Sequence, residues 1–396
     1  MNSQKKMFIT GASGFLGSAL LPKLVRCESV NVVYVLIRGN GRGTYNERLE
    51  NLKQNIFSPF EISEFGSKII AIEGDLEQEG LGISPSDLSL LETTVTHVVH
   101  IGASTDFSAP IQEARSINVV GSQRVLDLVS KIKKSNSNFV RFDYVSTAFV
   151  AGTKPGKVKE DCLDRGQSFA NSYEQSKFEA EVLVRQYMSD IPTVIHRPSI
   201  VVGDSRSGYT PHFKVLYWPL LLLSKNILPF IPCNPMAMLD IVPVDFVTSG
   251  MFGILMDDHS IGRTFHLTSG LGNAVRIHGF LEDAFRQTSI ERKPIVPLTV
   301  FKLICSRWGR KLMSDDFWAA CEMAKVYSDY IRGTSVVFDN SSTLKFLGQL
   351  GLEGAPTWDS YKDRVFDYCI QSRWGKRKIK KEFEYRLTWA TSLPEV

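Results

Sequence analysis

The sequence lacks paired cysteines, a long hydrophobic run and a strong excess of either charge, and each lack removes a class of protein. Its six cysteines, Cys27, Cys162, Cys233, Cys305, Cys321 and Cys369, stand singly with no CxxC pair. Neither a disulfide framework nor a metal site is spelled out, and we read them as free thiols in a reducing compartment. The most apolar stretch, residues 215–231 (VLYWPLLLLSKNILPFI), is broken by Pro219, Lys225 and Pro229 and is too short to cross roughly 30 Å of hydrocarbon. An integral membrane protein is excluded on that count. The formal net charge is +4, a mild basic excess that suits small phosphorylated ligands but not nucleic acid, which calls for a basic stripe. The opening MNSQKKMFITGASG has only a short apolar run before its glycines. No cleaved signal peptide is expected, and the expected location is cytoplasmic.

What is present is the composition of a globular chain: 396 residues, 43% hydrophobic and 22% charged, enough for more than one core. The first half alternates β-branched runs (MFIT, VNVVYVLIR, KIIAIEGD, THVVHIGA, RFDYVSTA and PTVIHRPSI) with helix-like segments such as 15–26 and 117–133. Each crossover needs a helix to return the chain to the same end of a sheet, so the pattern predicts an α/β fold with a doubly wound parallel sheet. After about Asp204 the rhythm breaks, resumes at LDIVPVDFV and RTFHLTSG, and then turns mainly helical. We therefore expect a nucleotide-binding Rossmann domain over 1–204, completed by about 238–268, and a smaller, mainly helical substrate domain made of 205–237 and 269–396. Residues 373–381 (RWGKRKIKK) carry six basic residues in nine positions, which reads first as a solvated helix and second as a peripheral membrane or acidic-partner contact.

The segment FITGASGFLGSAL sets Gly11, Gly14 and Gly17 between the first strand and the first helix. Gly11 allows the tight turn, Gly14 lets a pyrophosphate approach the backbone, Gly17 permits close helix packing, and the free helix N–H groups meet the phosphates. The second strand ends in YVLIRG. Where an NAD enzyme carries an acid for the ribose hydroxyls, this chain offers Arg38, which suits the 2'-phosphate of NADP. Arg42 and Arg48 in the following loop add charge or are merely solvated. Asp75, ending the third strand, can bond the adenine edge or cap a turn. Gly102 and Ala103 are small where a flat ring must pass close to the backbone.

Tyr173 and Lys177 stand four apart in NSYEQSKFEAEVLV, on one face of a predicted helix. A neighbouring ammonium favours a phenolate, so Lys177 is expected to draw the Tyr173 phenol down toward neutral pH. The preceding strand ends in YVSTAFVAG and brings Ser146 and Thr147 to the carboxyl edge of the sheet, where open α/β sheets bind ligands. Either hydroxyl, with the phenol, gives two donors for one carbonyl oxygen, which is what hydride attack requires. The apolar segment 209–230 is either an acyl-chain wall or a helix packed in a core. His196 and His212 fall near the ligand edge, and neither is assigned a role.

The set TGASGFLG, GDLEQEGLGIS, YVSTAFVAG, YEQSK, RPSIVVGDSRSG and LDIVPVDFV resembles the extended short-chain dehydrogenase/reductases. More narrowly, it is similar to their branch of fatty acyl-CoA reductases and to the thioester reductase domains of carboxylic acid reductases and nonribosomal peptide synthetases. The resemblance runs from about Phe8 to Gly270. It implies a Rossmann fold of the extended type and a catalytic triad of Thr147, Tyr173 and Lys177, Thr147 being preferred to Ser146 because it stands five before Gly152. It also implies NADP(H) contacts at Gly11, Ser13, Gly14, Phe15, Leu16, Arg38, Arg48, Asp75, Leu76 and Ala103, with Pro198, Ser199 and Ile200 on the nicotinamide side. Gly102 departs from the alanine usual there. The implied reaction is NADPH-dependent reduction of an acyl thioester, carried by CoA or an acyl carrier protein, to an aldehyde, with the alcohol as a further product. No adenylation or carrier domain precedes residue 1, so the acyl group is expected to arrive from outside. No distinguished cysteine nucleophile is present for a covalent route. The alternatives are an alcohol dehydrogenase or ketoreductase of the same fold, a sugar-nucleotide epimerase or dehydratase, and a non-catalytic NADP sensor.

Overall fold

The computed structural model describes residues 4–39, 44–213, 216–224, 230–234, 237–288, 291–306, 310–311, 313–319, 321–322, 325 and 336–376. Arg42 and the basic segment from residue 377 onward lie outside them.

The β-branched runs of the first half form strands β1 (Lys5–Thr10), β2 (Val30–Ile37), β3 (Ile69–Glu73), β4 (His97–His100), β5 (Arg141–Val145) and β6 (Thr193–Pro198). A seventh, β7 (Thr264–Leu267), comes from RTFHL and pairs parallel with β6. The sheet order is β3-β2-β1-β4-β5-β6-β7, parallel throughout. β4, β5 and β6 are buried along their whole length. A parallel sheet covered on both faces selects such unbroken burial over alternation. Strand order reverses between β1 and β4, and the crevice that opens there at the carboxyl ends is the expected ligand site of an open α/β sheet.

Helices α1 (Phe15–Arg26), α2 (Gly121–Ser135), α3 (Ser172–Tyr187) and α4 (Val244–Met256) cover the sheet. Leu20, Leu24, Val247, Met251 and Ile254 from α1 and α4 pack one face. Val125, Leu126, Val129, Ala180 and Val184 from α2 and α3 pack the other. A separate core joins Ile200, Val202, Leu220, Ile241, Phe280, Trp358 and Phe366. Helix Tyr217–Ser224 puts Tyr217 and Leu220 into this second core, which accounts for its apolar composition. Late in the chain, helix Ser341–Gln349 returns to the sheet and buries Phe346 and Leu347 with α1 and α4. No helix among the described residues is long and apolar enough to cross a membrane.

Candidate active site

The loop from β1 into α1 turns at Gly11, whose φ of +75° favours glycine; a Cβ there would stand 2.5 Å from the Gly102 nitrogen. Gly17 serves packing: a Cβ would come to 2.2 Å from the Gly11 carbonyl oxygen. Gly14 caps α1 in extended conformation. No side chain closes the helix end, and no acid stands in its first turn. Such an open N-terminus at a strand-to-helix turn accepts an anion.

This loop forms one wall of a cavity of about 600 Å3. Of the residues singled out from sequence, Gly11, Ser13, Gly14, Phe15, Leu16, Arg38, Arg48, Asp75, Leu76, Ala103, Thr147, Tyr173, Lys177, Pro198, Ser199 and Ile200 all line it; Gly17 does not. Arg48 donates to the Arg38 carbonyl, so the two cations sit together at the end of β2. Asp75 accepts from the Glu77 amide at 3.1 Å, a turn-capping bond, while also facing the cavity. His212 reaches the cavity mouth with its ring edge-on to Phe15, centroids 6.4 Å apart. His196 lies buried, hydrogen-bonded to Asp143 at 2.7 Å, and does not line the cavity.

β5 and α3 supply the reactive groups. The Ser146 hydroxyl donates to Glu181 at 2.6 Å. Thr147 accepts from the Phe149 amide and donates to the Pro198 carbonyl, both at 3.3 Å, and its hydroxyl engages the Tyr173 phenol. The geometry thus separates two hydroxyls that the sequence left equivalent. Asn171 caps α3 by accepting from the Glu174 amide at 2.9 Å, which places Tyr173 in the first turn and Lys177 one turn later. The Tyr173 ring rests edge-on against Phe107, centroids 5.3 Å apart.

The expected effect of Lys177 on the phenol is not what the structure shows. Burial pushes Tyr173 up to about 12, with Thr147 pulling the other way and Glu174 adding to the rise. Burial also brings the Lys177 ammonium down to about 7, against the raising influence of Glu181. Lys177 donates to the Tyr144 hydroxyl at 2.7 Å and the Val145 carbonyl at 2.8 Å. Deep burial and these two partners, both on β5, account for the difference.

Three residues near the site escaped the sequence reading. Asn118 sits in a widened π-type turn at Ser116–Val120, accepts from the Ser104 amide at 2.8 Å, and donates to Ser176 at 2.9 Å and to the Ser104 carbonyl at 3.1 Å. It pins the loop after β4 to α3. Phe107 in that loop faces the cavity; its place just beyond a strand's carboxyl end was the available signal. Tyr144 looked like one more core aromatic, because β5 is buried on every residue.

The residues fit a dinucleotide: an uncapped helix end, a glycine turn that a Cβ would fill, and two arginines at the end of β2 face one cavity. Comparison with known proteins agrees. The terminal R domain from the myxalamid PKS-NRPS biosynthetic pathway superposes with a TM-score of 0.76 at 25% identity, over 95% of this chain and 93% of that one. A Drosophila melanogaster protein named as a fatty acyl-CoA reductase is 31% identical over 62% of this chain and 54% of its own length. A linear gramicidin synthase polypeptide of Brevibacillus parabrevis is 26% identical over 92% of this chain and 7% of its own. The chain thus spans about half of the first of these curated relatives and a small part of the second. The family described as male sterility protein matches residues 9–251, and with the parallel nucleotide-binding sheet and its glycine turn this match settles the kinship: the chain belongs to the male sterility protein family, within the extended short-chain dehydrogenase/reductases.

Proposed function

We propose that this protein reduces an acyl thioester, delivered on CoA or an acyl carrier protein, to an aldehyde with NADPH. The observation that carries the reading is the meeting of the Thr147 and Tyr173 hydroxyls with Lys177 on one cavity wall, beside the turn Pro198, Ser199 and Ile200. Bound NADPH supplies the hydride. Thr147 and Tyr173 hold the carbonyl oxygen as negative charge gathers there, and the phenol passes its proton to that oxygen. The hemithioacetal then loses its thiol, with the hydroxyl proton moving to sulfur, and leaves the aldehyde. One hydride and one proton enter as the C–S bond breaks.

Phe107, Phe149 and Tyr217 give the cavity apolar walls for an acyl group. Arg38 and Arg48, at the end of β2, support NADPH over NADH. Kinship with an R domain and a gramicidin synthase on one side, and with a protein named as a fatty acyl-CoA reductase on the other, supports a thioester carried on an acyl carrier protein or CoA. In this reading 1–204 with about 238–268 bind the nucleotide, and 205–237 with 269–396 cover the substrate. The second core draws on both parts, Ile200, Val202 and Ile241 from the first and Leu220, Phe280, Trp358 and Phe366 from the second, and helix Ser341–Gln349 packs back against the sheet. The reading extends to a cytoplasmic location with peripheral membrane contact.

The test is product identification by mass spectrometry after incubation with NADPH and, separately, a long-chain acyl-CoA, an acyl carrier thioester, an aldehyde and a ketone. Release of free thiol together with aldehyde or alcohol is expected. Consumption of the aldehyde or ketone alone would return the protein to the alcohol dehydrogenases.

A further inference from the structure

The sheet carries a row of buried polar side chains across β1, β4 and β5. Register pairs Thr10 on β1 with His100 on β4, and His100 with Tyr144 on β5, at the carboxyl ends of three adjacent strands. All three are buried, and so are Ser122 on α2 and Lys177 on α3, which lie over them. Buried polar groups are retained at a cost unless they are bonded. Here the row is tied by bonds and one ring contact. Thr10 Oγ1 stands 2.6 Å from His100 Nδ1, His100 Nε2 stands 3.1 Å from Ser122 Oγ, the Tyr144 ring lies against the His100 ring with centroids 5.7 Å apart, and Tyr144 accepts from Lys177 Nζ at 2.7 Å.

The donor directions can be assigned. Lys177 as an ammonium only donates, so the Tyr144 oxygen accepts from it. Ser122 gives its single proton to the Asn118 carbonyl at 2.6 Å. It therefore accepts from His100 Nε2–H, which leaves Nδ1 to accept from Thr10. Thr10 Oγ1 in turn accepts from the Gly102 amide at 3.2 Å. The Thr10, His100 and Ser122 protons are thus committed, and that run ends on the Asn118 carbonyl, so it is a fixed tether.

We infer that Tyr144 is the positioning residue for Lys177: through its ring contact with His100 and the His100–Thr10 bond it ties the lysine to the glycine turn, so that the two walls of the cofactor cavity hold one spacing. The inference rests on the proposed reductase reading for its kinetic consequence, but the tether itself does not. Three groups bear on the Lys177 charge: Tyr144 by direct bond, Glu181 one turn on along α3, and His100 on β4. His100 is held neutral, with burial and then Lys177 bringing it down to about 3. Tyr144 is thus the acceptor that favours the ammonium from the sheet side.

The test is Tyr144→Phe, which removes only the hydroxyl. Its first readout needs no substrate: the pH dependence of Lys177 acylation by a small anhydride, followed peptide by peptide with mass spectrometry. Loss of an acceptor for the ammonium is expected to move the midpoint down by about one pH unit. The second readout is steady-state kinetics, where kcat is expected to fall about tenfold with the KM for NADPH nearly unchanged. Ser122→Ala, which removes the partner of His100 Nε2, is expected to move the midpoint in the same direction by less, and it stands in for Tyr144→Phe should that variant fail to fold. An acylation midpoint equal to wild type in whichever variant folds overturns the inference. If wild type reduces no thioester while the midpoint still moves, the tether stands and the proposed reaction falls.

Discussion

In the proposed reaction a phenol held near 12 by burial would enter fully protonated at any working pH, which is the form a proton donor to a developing oxyanion must have. Removing it tests the chemistry with little change of shape. Tyr173→Phe is expected to lower kcat by about 10² or more while leaving cofactor affinity nearly unchanged, because only the donated proton is lost. Stopped-flow turnover and a fluorescence titration with NADPH measure the two separately, and wild-type turnover would remove Tyr173 from its role. Lys177 sets the pH limit. With its ammonium brought down to about 7, the charged form prevails below that pH and is lost above it. In the proposed reaction Lys177 acts as an ammonium on the wall of the same cavity, so kcat/KM in the reducing direction is expected to decline as pH rises through about 7, with no second fall until the phenol itself ionises. A flat profile over roughly pH 5.5 to 9 would show that the charge on Lys177 is not needed.

Helix α3 carries both reactive side chains, so its docking decides whether they meet. The dock is Glu181, fully buried, which accepts from Arg197 at 2.6 and 3.0 Å, from Arg185 at 3.0 Å and from Ser146 at 2.6 Å. Burial raises this carboxyl, but Arg197 above all, with Arg185 and Ser146, overrules it and holds Glu181 at about 2. Removing one partner of a buried pair strands the other charge, so Glu181→Ala is expected to cost about 3–5 kcal/mol in denaturant unfolding near neutral pH. The sign of its pH dependence follows. A carboxyl lowered from 4.5 to about 2 contributes fully above the higher value and loses its contribution as pH falls through the lower. The gap between wild type and variant should therefore narrow on acidification; a gap that stays constant would assign the loss to packing. At this scale much was legible. Unbroken apolar runs mark strands covered on both faces, and the bounds of α1 follow from GFLGSALL. The π-type turn at Ser116–Val120 was not legible, since its sequence continues a helical period into α2. The facing of β5 was not legible either, because a strand buried on every residue gives no alternation to say that Tyr144 looks toward Lys177.

Over the whole molecule, a sheet with two covered faces and a second core enclose one cavity, and the sequence named most of its wall because local rules govern each part. Glycine turns, helix spacing and strand ends are written in short segments. The second half was harder to read because its contacts are distant: Trp358 and Phe366 meet Ile200 and Ile241 across more than a hundred residues, and Phe346 packs on α1. The cavity offers a measure of how the parts cooperate, since a ligand that binds only the assembled fold stabilises all of it. At a hundred times its dissociation constant that linkage is worth about 2.7 kcal/mol, several degrees in melting temperature for a chain of this size. On the proposed reading, in which Arg38 and Arg48 at the edge of the cavity would meet the 2'-phosphate, NADPH is expected to raise the melting temperature more than NADH at equal concentration. Arg38→Ala leaves the glycine turn and the apolar walls in place. It should therefore bring the NADPH shift down toward the NADH shift and leave the NADH shift where it was. Equal losses for both coenzymes would mean that Arg38 holds the cavity together and does not read the 2'-phosphate.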